Sequence, residues 1–316
     1  MPIMSKHFLA AAAIAVCALA AGASQAAVLD LGVSNANLFS LGNFKASSSD
    51  VEGAVLVRGN LTASSYSINE KNQDAYGKNN GSGYSLVVGG NLDYSSGSIK
   101  HGKIYVGGST KTSSVGLQSS TITQTAPVSF DALASNAKNV SSSLSKVAAT
   151  GSSAVQYGGM TLTGSKKSVE VFNLSGKDLA SVNNFTLSGL SKNATLIFNV
   201  SGADAIGFNQ NGVGLSGFKD YNVLFNFYQS TALNIQSVGI QGSLLAPLAT
   251  VTGYGSQING NVIVGDWLSN VQVNANHFFK PVYMNGYATA VPEPETYAML
   301  LAGLGLLGVM RRRRRG

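Results

Sequence analysis

Short β-forming runs bounded by glycine recur along this chain at a nearly fixed spacing, and that recurrence limits the folds open to it. The run from Gly53 to Leu61 parallels the run from Gly83 to Leu92, and Gly102 to Ser109 is a third copy. Near the other end, Gly242-Ser-Leu-Leu-Ala and Gly260-Asn-Val-Ile-Val-Gly265 echo the unit. Gly90 to Gly108 is 18 residues, and Gly242 to Gly260 is 18 again. Successive turns of a parallel β-solenoid produce such a pattern. Each turn lays its short strands on those of the next, roughly 4.8 Å away. Ile, Val and Leu then fill the interior, and glycines make the corners. Gly59 to Gly90 is 31 residues, so the expected solenoid is irregular, with an insertion around Asn69–Gly83. A β-sandwich with Gly-rich hairpins is the alternative.

Composition supports a folded β protein. Charged residues are 11% and hydrophobic residues 44%, whereas disorder needs few apolar groups and high net charge. Abundant Gly, Ser, Asn and Thr suit turn-rich β structure. No Pro/Gly-rich linker interrupts residues 27–290, which read as one domain. Further strands are expected at Val169–Leu174, Ala194–Val200, Tyr221–Tyr228 and Ala232–Val238, with Phe172, Phe198, Phe225 and Phe227 in the core.

One segment breaks the β pattern. Phe130, Leu133, Ala137, Val140, Leu144 and Val147 repeat at three- and four-residue steps, which predicts an amphipathic helix of about 18 residues. Pro127 precedes it, Ser129 can cap it, Asp131 sits at its positive end and Gly151 follows. Its single apolar stripe calls for packing along the flank of the β structure. The polar face carries only Lys138 and Lys146, too little charge for a membrane-surface helix.

The two ends read as targeting segments. Lys6, the Ala-rich apolar run from Phe8 to Ala21 and the small residues around Ser24-Gln25-Ala26 form a secretory signal, with cleavage expected after Ala26. The run is short for a retained membrane anchor, which needs about 20 residues. At the other end, Val291, Pro292, Glu293 and Pro294 make a stiff extended motif. An uncharged apolar stretch, 296–310, follows, and then Arg311, Arg312, Arg313, Arg314 and Arg315. Arginines stay on the cytoplasmic side, so the bulk of the chain lies outside. Cys17, the one cysteine, falls within the signal, so residues 27–290 have no thiolate metal site and no disulfide.

The ends also carry most of the charge. Lys6 and the terminal arginines account for six of 21 basic residues, and Glu293 and Glu295 for two of 14 acidic ones. Residues 27–290 keep 15 against 12, about +3, which is no nucleic-acid footprint.

The order of motif, apolar helix and basic stop resembles the PEP-CTERM sorting signal of Gram-negative, exopolysaccharide-producing bacteria. The likeness covers Val291 to Arg315. It implies processing near the Pro-Glu-Pro motif by an exosortase, through an inner-membrane-anchored intermediate. The alternative is a plain tail anchor.

The body has a resemblance of its own. Leu41-Gly-Asn-Phe, Ser49-Asp-Val-Glu-Gly53, Val57-Arg-Gly-Asn60, Phe198-Asn-Val-Ser-Gly202 and Gly242 to Ala249 are similar to landmarks of the choice-of-anchor A domain. The likeness spans roughly 30–285. Members are treated as adhesins, with no enzymatic activity implied. Arg58 departs from the pattern, standing where a small residue such as Gly89 or Gly107 is expected.

Catalytic signals are weak. Gly303-Leu-Gly-Leu-Leu-Gly308 lies in the apolar tail, and Gly212-Val-Gly-Leu-Ser-Gly217 is followed by a strand-like run, so neither meets the context of a dinucleotide fingerprint. His101 and His277 form no metal-ligand pair with each other or with a carboxylate, and no G-x-S-x-G elbow occurs. Asp50 and Glu52 would share one strand face and can bind Ca2+, or else make a solvated edge. Asp266 beside Trp267 can mark a sugar contact, or the tryptophan can cap the core. Alternating threonines at Thr121-Ile-Thr123-Gln-Thr125, Thr161-Leu-Thr163 and Thr250-Val-Thr252 suit a regular surface such as ice, or simply exposed β positions.

The expected fold is therefore mainly β: an irregular parallel β-solenoid with one flanking amphipathic α-helix. The signal 1–26 and the tail 291–316, with its transmembrane helix, lie outside that fold. The expected function is that of a non-catalytic exported surface or matrix protein, an adhesin of exopolysaccharide or biofilm. Ice or crystal binding is the alternative, and a polysaccharide-degrading enzyme the third reading. The expected partners are signal peptidase and the Sec machinery, an exosortase, the membrane through the tail, and extracellular polysaccharide or a cell surface. No cofactor beyond Ca2+ and no nucleic acid enters this reading.

Overall fold

A computed structural model describes residues 26–71, 83–118, 121–123, 126–203, 206–208 and 215–288. The chain is mainly β. A 19-stranded sheet holds most of the strands, and its pairs are parallel. Antiparallel pairing among the described residues is confined to Ala27–Leu29 with Val282–Met284 and Ser152–Gln156 with Gly159–Thr163. That is not the pairing a sandwich requires.

The strands stack in three parallel ladders. The first runs through Val169–Ser175, Thr195–Ser201, Asn222–Phe227, 243–246, 262–264, Ala36–Ser40, Ala54–Val57, Tyr84–Val88, Lys103–Val106 and Thr121–Thr123. The second runs through Ile206–Phe208, Ala232–Gln236, 250–254, 266–269, 44–47, 61–64, 92–95 and 110–113. The third joins Gly239–Gln241, Gln257–Asn259, Gln272–Asn274, 49–51, 66–68, 97–100 and 115–118. The expected strands at 169–174, 194–200, 221–228 and 232–238 are all present within a residue or two. Phe172, Phe198, Phe225 and Phe227 are buried, and the first three stack at 5.4 and 4.9 Å between centroids.

The ladder order differs from the chain order. Leu38, Phe39 and Ser40 pair with Val262, Ile263 and Val264. The N-terminal layers therefore stack directly on the C-terminal ones. The insertion expected at Asn69–Gly83 lies between Ile68 and Tyr84, with 72–82 outside the described residues.

Helix α1, Phe130–Leu144, explains how the chain returns from one end of the stack to the other. Ser129 caps it, its hydroxyl accepting from Ala132 N at 3.4 Å. Ala134, Ala137, Val140 and Leu144 are buried against Phe39, Leu56, Ile263, Leu245, Leu224 and Ile197. These last project outward from the first ladder, so that ladder is buried on both sides. Its strands accordingly read as continuous apolar runs, such as Ala54–Val57, all four residues buried. Phe130 lies 6.5 Å from Phe39, and Asn199 Nδ2 donates to Leu144 O at 2.7 Å. Fifteen residues span about 22 Å. The five inter-strand steps from Ala54–Val57 to Thr195–Ser201 span about 24 Å, so helix and stack run side by side. The helix is three residues shorter than the 18 expected, because Ser145 leaves it at the C-cap, but Val147 is still buried.

A shorter helix, Gly176–Ser181, and a three-stranded sheet of Ser152–Gln156, Gly159–Thr163 and Asn184–Ser188 complete the fold. Among the described residues no helix is long and apolar enough to cross a membrane. The tail helix 296–310, the motif Val291–Pro294, the arginines 311–315 and residues 1–25 of the signal lie outside the described residues.

Candidate ligand-binding face

One corner of the stack is built from side chains that imitate backbone. Asp266 Oδ1 accepts from Asn43 N at 2.7 Å, and Asn43 Oδ1 accepts from Asn60 N at 3.0 Å. Asn60 Oδ1 accepts from Asn91 N and Asn91 Oδ1 from Ser109 N, both at 2.8 Å. Each rung satisfies an amide where the chain turns out of register. Glycine is required beside it: a Cβ on Gly90 would meet Asn60 Oδ1 at 2.5 Å and Gly59 O at 2.7 Å. Arg58, the departure from the small-residue pattern, is exposed and pairs with Asp131 in the first turn of α1 at 2.8 Å.

The second ladder follows this corner and presents an open face. Val251, Trp267, Phe44, Leu61 and Leu92 point inward and are buried. Thr252, Leu268, Lys45, Thr62, Asp93 and Lys111 stand in register on the outside and are exposed.

Two hollows open where the N-terminal layers meet the C-terminal ones, one on this face and one at the corner where the second ladder turns into the third. The strand 266–269 pairs with 44–47 only at Trp267–Phe44 and Leu268–Lys45. Beyond them the chains part, and Asn270 Oδ1 bridges the gap by accepting from Ser47 N at 2.8 Å. Ser48 then turns the chain with φ of 52°. One hollow, about 710 Å³, is lined by Ser48, Ser49, Ser256, Gln257, Asn270 and Gln272. Its neighbour, about 490 Å³, is lined by Lys45, Thr62, Gly253, Leu268 and the same Asn270. Tyr254 lies between Gly253 and Gly255, which line the two hollows, and is 60% exposed; Leu268 is 44% exposed. Gln236 Nε2 donates to the Tyr254 hydroxyl. Among the described residues no carboxylate lines either hollow. The chemistry on offer is amide and hydroxyl hydrogen bonding, with the Lys45 ammonium in the smaller hollow, which suits a hydroxyl-rich polymer.

The residues singled out from sequence do not converge on one site, although the Asp50 and Glu52 carboxyls lie near enough to act on each other. Trp267 corrects the expectation of a sugar platform: it is fully buried, stacked on Phe44, and offers no ring face to a ligand. Asp50 stands on the third ladder and accepts from Gln272 Nε2 at 3.3 Å. Burial, with smaller contributions from Glu52 and Glu70, pushes its carboxyl above the ordinary value. Glu52 lies past the strand end, where it accepts from Ala275 N at 3.0 Å and pairs with Lys71 at 3.5 Å. Among the described residues no three His, Cys, Asp or Glu side chains converge as metal ligands. The alternating threonines do not share a plane. Thr250 and Thr252 lie on the second ladder, Thr161 and Thr163 in the three-stranded sheet, and Thr121–Thr123 at the end of the first ladder; Thr125 lies outside the described residues.

Sequence reasoning missed the hollows. A signal for their corner was present: Ser48, Ser65, Ser96 and Ser114 each follow a serine and each turn with φ of 49–58°.

A family model described as "Putative Ice-binding-like adhesive domain" matches residues 32–275, and the PEP-CTERM protein-sorting motif matches residues 290–315. Curated proteins and solved structures yielded no match.

Proposed function

The chain belongs to the Putative Ice-binding-like adhesive domain family and ends in a PEP-CTERM sorting motif, and from that premise we propose that it is a non-catalytic exported adhesin that grips uncharged stretches of extracellular polysaccharide. The observation that carries this reading is the pair of hollows around Asn270. Amides and hydroxyls make up most of their polar lining, with Lys45 the one charged group; the exposed Tyr254 is next in the chain to a lining glycine of each, and neither has the opposed carboxylates that glycoside hydrolysis uses. Each contact there is weak, and many copies on one surface make weak contacts sufficient.

In this proposal the three ladders are the sides of an irregular β-solenoid, and the domain is of the choice-of-anchor A type. Signal peptidase cuts after Ala26, next to the strand that pairs Ala27 with Met284. An exosortase then acts at Val291–Pro294, while Arg311–Arg315 hold the intermediate at the inner membrane, and the product joins the exopolysaccharide matrix of a biofilm.

The test is retention of the purified full chain, in detergent, on the exopolysaccharide of its own source. Binding is expected; passage through every matrix glycan column without delay overturns the adhesin reading. Deleting Pro292–Pro294 should leave the precursor at full mass, and a normally shortened product would remove the sorting assignment.

Ice binding is the second reading, favoured by the family's description and by the exposed Thr252. Thermal hysteresis at micromolar protein would promote it over the first.

A further inference from the structure

A second cleft, away from the hollows around Asn270, has a different chemistry. It has a volume of about 680 Å³ and opens where the chain enters the first ladder. Its walls come from the loops ahead of three first-ladder strands, at Asn35, Asn193 and 219–222, and from the segment 275–280 that crosses them.

The frame is held rigidly. Asn222 Nδ2 donates to Lys280 O at 2.9 Å, and Lys280 N donates to Asn222 Oδ1 at 2.8 Å. Phe279 N donates to Asn261 Oδ1 at 2.9 Å. The His277 ring is anchored through Nε2 to Tyr221 O at 2.8 Å. A carbonyl accepts only, so Nε2 carries the proton in this contact.

The lining groups fall into two sets. Lys219 and Lys280 are exposed, and neither makes an ion pair among the described residues. Asp220 also lines the cleft and offsets one of them. Asn35, Asn193 and Asn276 add three amides, each able to donate and accept. Two ammonium groups against one carboxylate select an anion. The amides suit the paired hydroxyls of a sugar, and the volume exceeds that needed for a single small ion.

We propose that this cleft binds an anionic group carried on a saccharide, with Lys219 and Lys280 holding the charge and the three asparagines holding the ring hydroxyls. The site is separate from the hollows around Asn270, and occupation of both would let one molecule bridge a neutral and an acidic polymer.

The experiment uses the full chain in detergent, titrated calorimetrically with tetragalacturonate, with a sulfated dextran fragment and with neutral maltotetraose. Binding of either anionic probe is expected, and the preferred one identifies carboxylate or sulfate as the source of charge. The double variant Lys219→Ala/Lys280→Ala should bind that probe at least tenfold more weakly. Raising the salt about tenfold should weaken the parent in the same direction. Both lysines are exposed, so the circular dichroism of the variant should match that of the parent. Column retention on neutral polysaccharide, measured on the same preparations, should not change. Equal affinity in the double variant overturns the proposal, as does binding of neither anionic probe. A loss of neutral retention alone would strike those hollows and leave this cleft standing.

Discussion

Trp267 and Phe44 stack with ring centroids 6.5 Å apart and planes 19° from parallel, although they come from opposite ends of the domain. Both rings are buried, and Phe44 also meets Tyr66 edge-on at 5.6 Å. This contact closes the seam between the last C-terminal layer and the first N-terminal one.

Trp267→Ala should therefore cost about 3–5 kcal/mol, the usual range for emptying a large aromatic site. Denaturant unfolding of the full chain measures it. A loss below about 1 kcal/mol would mean that the seam does not depend on this ring.

The ion pair from Arg58 to Asp131 should contribute little. The partners are 49% and 85% exposed, and water screens such pairs. Arg58→Ala is expected to change stability by less than about 1 kcal/mol, read from the same unfolding curves. A larger loss would show that Arg58 anchors α1 through more than its charge.

Glu170 should make the fold sensitive to acid. Its burial raises the carboxyl, but hydrogen bonds from Thr150 Oγ1 at 2.5 Å, Lys167 N at 2.9 Å and Ser165 N at 2.6 Å outweigh that and hold it below its ordinary value of 4.5. A lowered carboxyl stabilises the fold above the unfolded value, and the benefit fades as pH falls below about 4.5. Glu170→Gln should lose about 1–3 kcal/mol at neutral pH and flatten the stability profile on the acid side. An unchanged profile in the variant would show that other carboxylates govern the acid transition.

Tyr254→Ala tests the hollows around Asn270 without touching the core. The ring is 60% exposed, so stability should shift by no more than about 0.5 kcal/mol. Affinity for a neutral glycan should fall about tenfold, the order expected for one stacking aromatic contact. Wild-type affinity in this variant would move the binding surface elsewhere on the second ladder.

Much of this could be read along the chain. Ser129, Asp131 and the apolar stripe from Phe130 to Val147 announced α1, because capping and helical period act within a few residues. The glycine-bounded runs announced stacked strands: Gly59, Gly90 and Gly108 do lie on one another, linked by hydrogen bonds of 2.9 Å. Trp267 was read two ways, and burial decided between them. Asn270 gave no local sign at all, since its partner Ser47 is remote in sequence.

The amino-acid order alone determined the β character, the capped helix and the tail with its motif, apolar stretch and arginines. These depend on backbone preference, side-chain period and composition, which are local. The tertiary structure decided that residues 38–40 lie on 262–264, that α1 covers the outer side of the first ladder, and that hollows open where the two ends of the domain meet. Those outcomes follow from which apolar surfaces can cover one another once the whole chain has collapsed. Packing of that kind leaves no periodic trace in the residues it joins.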